Sequence, residues 1–301
     1  KYGESFVEGK DAALALAFSG QKEIGVRYGI SFISTEQARK NLEREIDSYN
    51  VNVIAEIGRN EWNDALGKIQ VSGGSENDKT VFYTSLYRCY ERPVNLSEDG
   101  KYYSAFDGKI HEDGGRSFYT DDWIWDTYRA AHPLRILTDR KKHTDIIRSF
   151  LRMSEFSSDH WFPNFPEVTG DSRRMNCNHG VSVIADAWYK GVRDFDLQKA
   201  YTYTKAAIEE KTLAPWSSAK AGWIDRFYKE KGYIPSLASG EQETVPEVNS
   251  FEKRQSVAVT LGTAYDQWCL SRIASALGLE KEADHYVSCS YNYRNLFNPQ
   301  T

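Results

Sequence analysis

The sequence of 301 residues contains 38 Lys and Arg against 43 Asp and Glu, with a formal net charge of -5, and 40% of its residues are hydrophobic. This balance is typical of a globular protein with one large or two smaller domains, and it argues against a nucleic-acid binder, which needs clustered positive charge. No apolar run approaches the roughly 20 residues of a membrane-spanning helix, and four widely spaced cysteines without a CxxC pair exclude a zinc ribbon and a disulfide scaffold.

The first segment of the chain predicts β-structure. Apolar residues alternate on both sides of a turn at residues 19–22, namely at Leu14, Leu16 and Phe18 and then at Ile24, Val26, Tyr28, Ile30 and Phe32. Period-two alternation around a short Gly-containing connection predicts a hairpin. Because two strands alone are marginal in water, these strands need partners that the rest of the sequence does not obviously supply.

The hydrophobic period changes to that of a helix at Ser34, where Ser34 and Gln37 match a capping box. A short helix is predicted around residues 61–69. Beyond Lys79 helical spacing recurs at residues 82–90, 146–151, 181–192, 197–208, 257–277 and 283–297. Three long polar and aromatic connections, at residues 92–122, 157–178 and 216–251, are typical of functional loops.

Aromatic residues are abundant, with 8 Trp, 19 Tyr and 14 Phe. Such residues fill cores, but a flat ring can also stack on the apolar face of a sugar. Trp125 and Asp126 lie near the start of a predicted helix, where the helix dipole favours an ionised carboxylate. This pair could hold a sugar, the carboxylate accepting from hydroxyls while the indole covers the ring. A helix-terminal charge beside a core tryptophan is the structural alternative.

A second candidate segment, residues 173–180, precedes the helix predicted from Val181. His179 lies at the entrance of that helix, either as a binding residue or as a structural histidine beside a capping Asn178. The six histidines form no HxxxH, HxH or HExxH pattern, so no metal site is predicted within the chain. A GxSxG elbow, a Walker A loop and a GxGxxG motif are absent, while carboxylates for acid and base chemistry are plentiful.

Several strings, taken together and in order, resemble glycoside hydrolase family 92. They are GISFIS at residues 29–34, FYTSLY at 82–87, FDGKIH at 106–111, WDTYRAAHPL at 125–134, VIADA at 183–187, AYDQW at 264–268 and NLFNP at 295–299. The resemblance implies a mainly α fold. Residues 1–34 would be the last strands of an N-terminal β-sandwich domain, residues 35–78 a helical linker, and residues 79–301 the first part of an (α/α)6 toroid that forms the catalytic barrel.

The resemblance also implies an activity, that of a calcium-dependent, inverting exo-α-mannosidase. The expected partner is a mannose-terminated glycan with α-1,2-linked mannose, as on N-glycans, and the expected location is the periplasm, the medium or the cell surface of a bacterium. The motif assigns the holding of the terminal mannose to Trp125 and Asp126. Asp107, Arg174 and His179 are the further substrate-binding candidates.

The departures from the family pattern concern the chemistry. In the family the general acid, the base and the Ca2+ ligands follow the point that corresponds to Thr301, so no catalytic or metal-binding residue is assigned within this segment. The segment is therefore expected to be the middle of a longer polypeptide. Gly262 stands where the family more often has Glu.

Two other functions remain open at this point. The missing acid and base fit a non-catalytic glycan-binding or structural helical scaffold. The helical pattern also fits another carbohydrate enzyme built on an α/α toroid, such as a phosphorylase or a lyase.

Overall fold

The computed structural model describes residues 9–13, 15, 17–20 and 22–300, and it confirms a mainly helical chain. The α-helices are α1 (Thr35–Glu45), α2 (Val51–Leu66), α3 (Glu76–Arg88), α4 (Ile124–Thr127), α5 (Ala131–Thr138), α6 (Arg140–Phe156), α7 (Gly180–Tyr189), α8 (Leu197–Glu209), α9 (Trp223–Lys231), α10 (Ser256–Ala276) and α11 (Glu280–Ser290), with a 3-10 helix at Tyr291–Leu296. The strands are β1 (Val94–Asn95), β2 (Lys101–Ser104), β3 (Lys109–Glu112), β4 (Tyr119–Thr120), β5 (Pro166–Glu167) and β6 (Gly170–Asp171). No helix among the described residues is both long and apolar enough to cross a membrane.

The chain divides into two compact units, residues 1–60 and 61–301. In the first unit the helix start predicted at Ser34 is confirmed, since Ser34 Oγ accepts the Gln37 N–H at 3.1 Å and caps α1. The predicted domain boundaries after residues 34 and 78 remain predictions.

The hairpin predicted over residues 14–32 is not formed by the part of this segment that the structure describes. Leu14 and Leu16 lie outside the described residues, and residues 22–31 adopt no strand. The Arg27 guanidinium donates to the Ile46 carbonyl at 2.6 Å, which ties the segment to the end of α1 instead.

The failed prediction has a physical cause in the lack of partner strands. The alternating apolar side chains beyond the turn are exposed, at Ile24, Val26, Tyr28, Ile30 and Phe32. A half-buried strand needs both a hydrogen-bonded neighbour and a core to cover one face, and the described residues of this unit provide neither. Alternation alone therefore did not produce a sheet.

In the second unit successive helices pack in pairs, α5 with α6, α7 with α8 and α10 with α11, and α10 also packs on α7 and α8. Paired helices are consistent with the toroid that the resemblance implied, while the six pairs of a complete ring remain a prediction. Fully buried side chains hold the pairs together, among them Phe150, Met153, Ile184, Leu270 and Ile273. Each such side chain contributes roughly 1.5–3 kcal/mol.

The long α10 is buried along one side only. Four large apolar side chains lie exposed along its other side, at Val257, Leu261, Tyr265 and Trp268. Their spacing of four, four and three residues places them in one stripe of the helix.

The three long connections contain short elements that periodicity could not reveal. Residues 92–122 hold β1 to β4, residues 157–178 hold β5 and β6, and α9 lies within residues 216–251. β1 pairs with β4 and β2 with β3, both antiparallel. Strands of two to four residues are too short to show an alternating pattern. Since Asp122 N–H donates to the Pro166 carbonyl at 2.9 Å, the first two connections meet at the start of α4.

A buried polar network joins the residues before α4 to α5 and α6. Asp122 Oδ2 lies 3.1 Å from His132 Nε2, and His132 Nδ1 lies 3.3 Å from His143 Nε2. An ionised carboxylate only accepts, so the nitrogen of His132 that faces Asp122 carries the proton and Nδ1 accepts from His143. Burial, with the neighbouring His132 and Arg135, lowers the pKa of His143 to about 2. The folded protein therefore keeps His143 neutral.

This network should make the protein less stable in mild acid. In the unfolded chain a histidine has a pKa of about 6.5. The unfolded state therefore binds a proton below pH 6.5 that folded His143 does not bind, so stability is complete above pH 6.5 and falls as the pH is lowered. Between pH 7.5 and 5.5 the wild-type protein should lose about 1.4 kcal/mol more unfolding free energy than His143→Gln. Urea denaturation at the two pH values measures this difference. The same change at exposed His285 should leave that loss unaltered.

Candidate substrate-binding site

Trp125 and Asp126 lie side by side in the short helix α4. Trp125 is partly buried, and its Nε1–H donates to Asn176 Oδ1 at 3.3 Å. Asp126 is exposed, and its backbone N–H donates to the Trp123 carbonyl at 2.8 Å. The indole ring is thus held in place beside a carboxylate that faces solvent. This arrangement can cover the apolar face of a sugar and accept from its hydroxyls.

A chain of amide side chains continues from Trp125. Asn176 Nδ2 donates to Gln255 Oε1 at 2.5 Å, and Gln255 Nε2 donates to Glu252 Oε2 at 2.5 Å. These bonds connect α4 to the loops that precede α7 and α10. Gln255 and Glu252 were not predicted as site residues, because they follow a long polar connection without periodicity and only the tertiary fold brings them to Asn176.

His179 lies directly before α7 and is buried. Its Nδ1 is 2.7 Å from Asp266 Oδ1, while the backbone N–H of Asn178 donates to Asp266 Oδ2 at 2.7 Å. The Tyr128 ring stacks on the imidazole at 4.2 Å between centroids. Of the two roles that the sequence left open, the geometry supplies the bonds of a structural histidine, and contact of His179 with a sugar remains a prediction.

The loop before α7 is held in an unusual backbone conformation. Arg173, Met175 and Cys177 have φ of 49°, 65° and 65°, and Trp216 and Gln255 in adjoining loops have φ of 57° and 46°. The left-handed region costs a residue other than glycine roughly 1–2 kcal/mol. Such residues persist where the surrounding structure fixes them, and they cluster at binding and catalytic sites.

Arg174 borders the same loops. Its guanidinium lies 3.5 Å from Glu167 Oε1 and 5.8 Å from the centre of the Trp216 ring. The Trp216 backbone N–H donates to the Met175 carbonyl at 3.5 Å, which attaches this exposed tryptophan to the loop. Arg174 and Trp216 therefore flank the loop that carries Asn176 and His179.

Asp107 belongs to a different part of the second unit. It lies in the turn between β2 and β3, where His111 Nε2 is 2.9 Å from Asp107 Oδ2. The His111 ring in turn stacks on Phe156 at 4.1 Å. Among the described residues, none of the hydrogen bonds or ion pairs of Asp107 reaches Trp125 or His179. Its binding role remains a prediction.

The electrostatic surroundings of Asp126 differ from those of an ordinary surface aspartate. Partial burial and the negative charge of Asp122 raise the pKa of Asp126, while Arg92 opposes them. Asp126 should therefore take up a proton at a higher pH than a freely exposed aspartate.

The structure gives a physical reason for Gly262. A Cβ at this position would lie 2.3 Å from Cys177 Sγ and 3.3 Å from His179 Cε1. The sulfur of Cys177 occupies the space that a side chain at residue 262 would need. A glutamate is therefore incompatible with this loop as it stands.

The family resemblance implied a calcium ion whose ligands lie outside this segment, and calcium dependence remains a prediction. Across residues 9–300, as far as they are described, no three His, Cys, Asp or Glu side chains come together in a way that could hold a metal ion. No calcium ligand is assigned to these residues.

Comparison with known proteins confirms the resemblance. The model of the glycosyl hydrolase family 92 catalytic domain matches residues 37–301. An inverting mannosidase of family GH92 from Bacteroides thetaiotaomicron has 31% identity and a TM-score of 0.75, with 90% of this chain and 34% of that chain covered. A family GH92 alpha-mannosidase of the same organism, solved with mannoimidazole, has 29% identity and a TM-score of 0.74, with 90% of this chain and 32% of that chain covered.

A further relative comes from the fungus Arthroderma benhamiae and is named an uncharacterized secreted glycosidase. It is 24% identical over 286 residues, which cover 93% of this chain and 31% of the relative. The chain thus spans about a third of the length of the proteins that it matches. It belongs to glycosyl hydrolase family 92.

Proposed function

We propose that this chain is the mannose-holding part of a secreted or periplasmic exo-α-mannosidase that acts on mannose-terminated glycans. The observation that carries the proposal is the pair at the start of α4, where a hydrogen-bonded Trp125 indole lies beside the exposed Asp126 carboxylate. Two mannosidases among the similar structures, one of them solved with mannoimidazole, support mannose as the sugar.

The proposed roles follow from the geometry. Trp125 covers the apolar face of the terminal mannose, and Asp126 accepts hydrogen bonds from its hydroxyls. Arg174 and His179 lie on the adjoining loop and would contact the same sugar. An inverting reaction also needs a general acid and a base about 6.5–9.5 Å apart. We assign both to residues outside 1–301, in line with the third of the relatives' length that this chain spans.

The calcium dependence implied by the resemblance belongs to this proposal as well. The described residues bring no suitable set of ligands together, so they would not hold the ion. Calcium would be held by residues outside 1–301, as proposed for the acid and the base.

Mannoimidazole binding by the 301-residue chain tests the substrate role directly. Wild-type chain should bind this compound in a calorimetric titration. Asp126→Ala should weaken binding by about 10- to 100-fold, because hydrogen bonds to a charged acceptor contribute about 1.5–3 kcal/mol. The matched change Asp284→Ala, at an exposed aspartate of α11, should leave the affinity unchanged. Equal affinities of the two variants would contradict the role of Asp126.

Turnover separates the proposed enzyme from a binding scaffold. A full-length protein that contains this segment should release mannose from α-1,2-linked mannobiose, and a calcium chelator should abolish the release. Mannose binding without release would favour a glycan-binding scaffold. Release that depends on inorganic phosphate would favour a phosphorylase.

A further inference from the structure

Asp122 lies one helical turn before Asp126 and is completely buried. The Thr127 hydroxyl donates to Asp122 Oδ1 at 2.7 Å, and the Asp122 N–H donates to the Pro166 carbonyl at 2.9 Å. The backbone N–H groups of Asp126 and Thr127 both donate to the Trp123 carbonyl, at 2.8 and 3.0 Å. Asp122 thus anchors both ends of the short turn that presents Asp126.

Cationic and polar groups hold the Asp122 carboxylate from the other side. Its Oδ2 lies 3.1 Å from His132 Nε2 and 3.6 Å from Arg135 Nη1, both on α5. Burial by itself would raise the pKa of Asp122, but His132, Arg135 and Thr127 lower it to about 2. A fixed negative charge therefore lies beneath the turn at all physiological pH values.

We propose that Asp122 is a positioning residue for Asp126, which fixes the turn carrying Asp126 and places a second negative charge behind its carboxylate. The proposal rests on the proposed function only in taking Asp126 as the acceptor for mannose hydroxyls. Arg92 is the opposing charge at this site. It pairs with Asp121 at 2.6 Å and covers the Trp123 ring at 3.7 Å.

The consequence is a pH dependence of sugar binding. Asp122 favours protonation of Asp126, and Arg92 disfavours it. A protonated carboxyl is a weaker acceptor for sugar hydroxyls. Mannoside affinity should therefore fall in mild acid, at a higher pH than for a site built on an ordinary surface aspartate.

Carboxyl carbon NMR can follow the titration of Asp126 in the 301-residue chain, with its signal assigned by its loss in Asp126→Asn. Asp122→Asn keeps an acceptor for Thr127 and removes the negative charge, so the titration midpoint of Asp126 should fall. Arg92→Gln should raise that midpoint. The control Asp284→Asn should leave it unchanged.

A titration midpoint of Asp126 that stays unchanged in Asp122→Asn would overturn the proposal. Should Asp122→Asn fail to fold, Thr127→Val decides the positioning role, since it removes the hydroxyl bond to Asp122 and leaves every charge in place. The titration midpoint of Asp126 could fall in Asp122→Asn and rise in Arg92→Gln, as expected, in a chain that does not bind mannoimidazole. That result would refute the proposed function and leave the positioning role standing.

Thr127→Val gives a second readout for the positioning role. It removes the hydroxyl, and with it the bond to Asp122 and the contact with the Trp123 carbonyl at 3.1 Å, without changing any charge. The midpoint of Asp126 should stay in place while mannoimidazole affinity falls several-fold. Unaltered affinity would show that the turn does not depend on Asp122.

Discussion

Asp266→Ala should lower the free energy of unfolding by about 3 kcal/mol. Asp266 is 1% exposed and is the acceptor for two buried donors, the Asn178 backbone N–H and His179 Nδ1. Each buried donor left without an acceptor costs about 1–3 kcal/mol. The same two bonds attach the strained loop before α7 to α10, so their loss should also release that loop and weaken mannoimidazole binding.

Guanidinium denaturation of the purified chain measures the effect on stability. Asp266→Asn retains one acceptor oxygen and should lose less stability than Asp266→Ala. The exposed Asp284→Ala should stay within about 0.5 kcal/mol of wild type. If Asp266→Ala and Asp284→Ala were equally stable, the bonds of Asp266 would contribute nothing to the fold.

Gly262→Ala should be the second large effect, with a loss of about 1–3 kcal/mol from overpacking. The added Cβ would lie 2.3 Å from Cys177 Sγ in a region where Cys177 is 4% exposed. Neither the buried sulfur nor helix α10 can move away without disturbing the neighbours of both.

Cys177→Gly should rescue Gly262→Ala. Glycine removes the sulfur and also suits the φ of 65° at residue 177. The double variant should be more stable than Gly262→Ala alone, with a coupling free energy of about 1–3 kcal/mol in a double-mutant cycle. Simple additivity of the two changes would show that the predicted steric conflict is absent.

The sequence predicts the helices well and the short elements poorly. Helical spacing over residues 181–192 and 257–277 corresponds to α7 and α10, because an amphipathic or buried helix of ten or more residues leaves a clear period. The helix predicted around residues 61–69 is the end of α2, which begins ten residues earlier at Val51. The hairpin near residues 14–32 failed because strand pairing depends on partners that a local pattern cannot show.

The candidate site also combines residues that a local motif predicts with contacts that only the tertiary fold makes. Trp125 and Asp126 could be proposed from a local motif, and the structure places them together in α4. The contacts that organise them come from elsewhere in the sequence. Asn176 accepts from the Trp125 indole across a separation of 51 residues, and Gln255 accepts from Asn176 across a separation of 79 residues. Asp122 was not predicted as a site residue, since nothing local indicates the histidine and arginine that contact its buried carboxylate.

The contact between Gly262 and Cys177 constrains how this lineage can vary. A bulkier residue at position 262 is accessible only to a sequence that has first exchanged Cys177 for something smaller. In the opposite order the intermediate protein carries the full steric penalty. The two positions should therefore covary across relatives, and a reconstructed ancestor with glutamate at position 262 should carry a small residue opposite it.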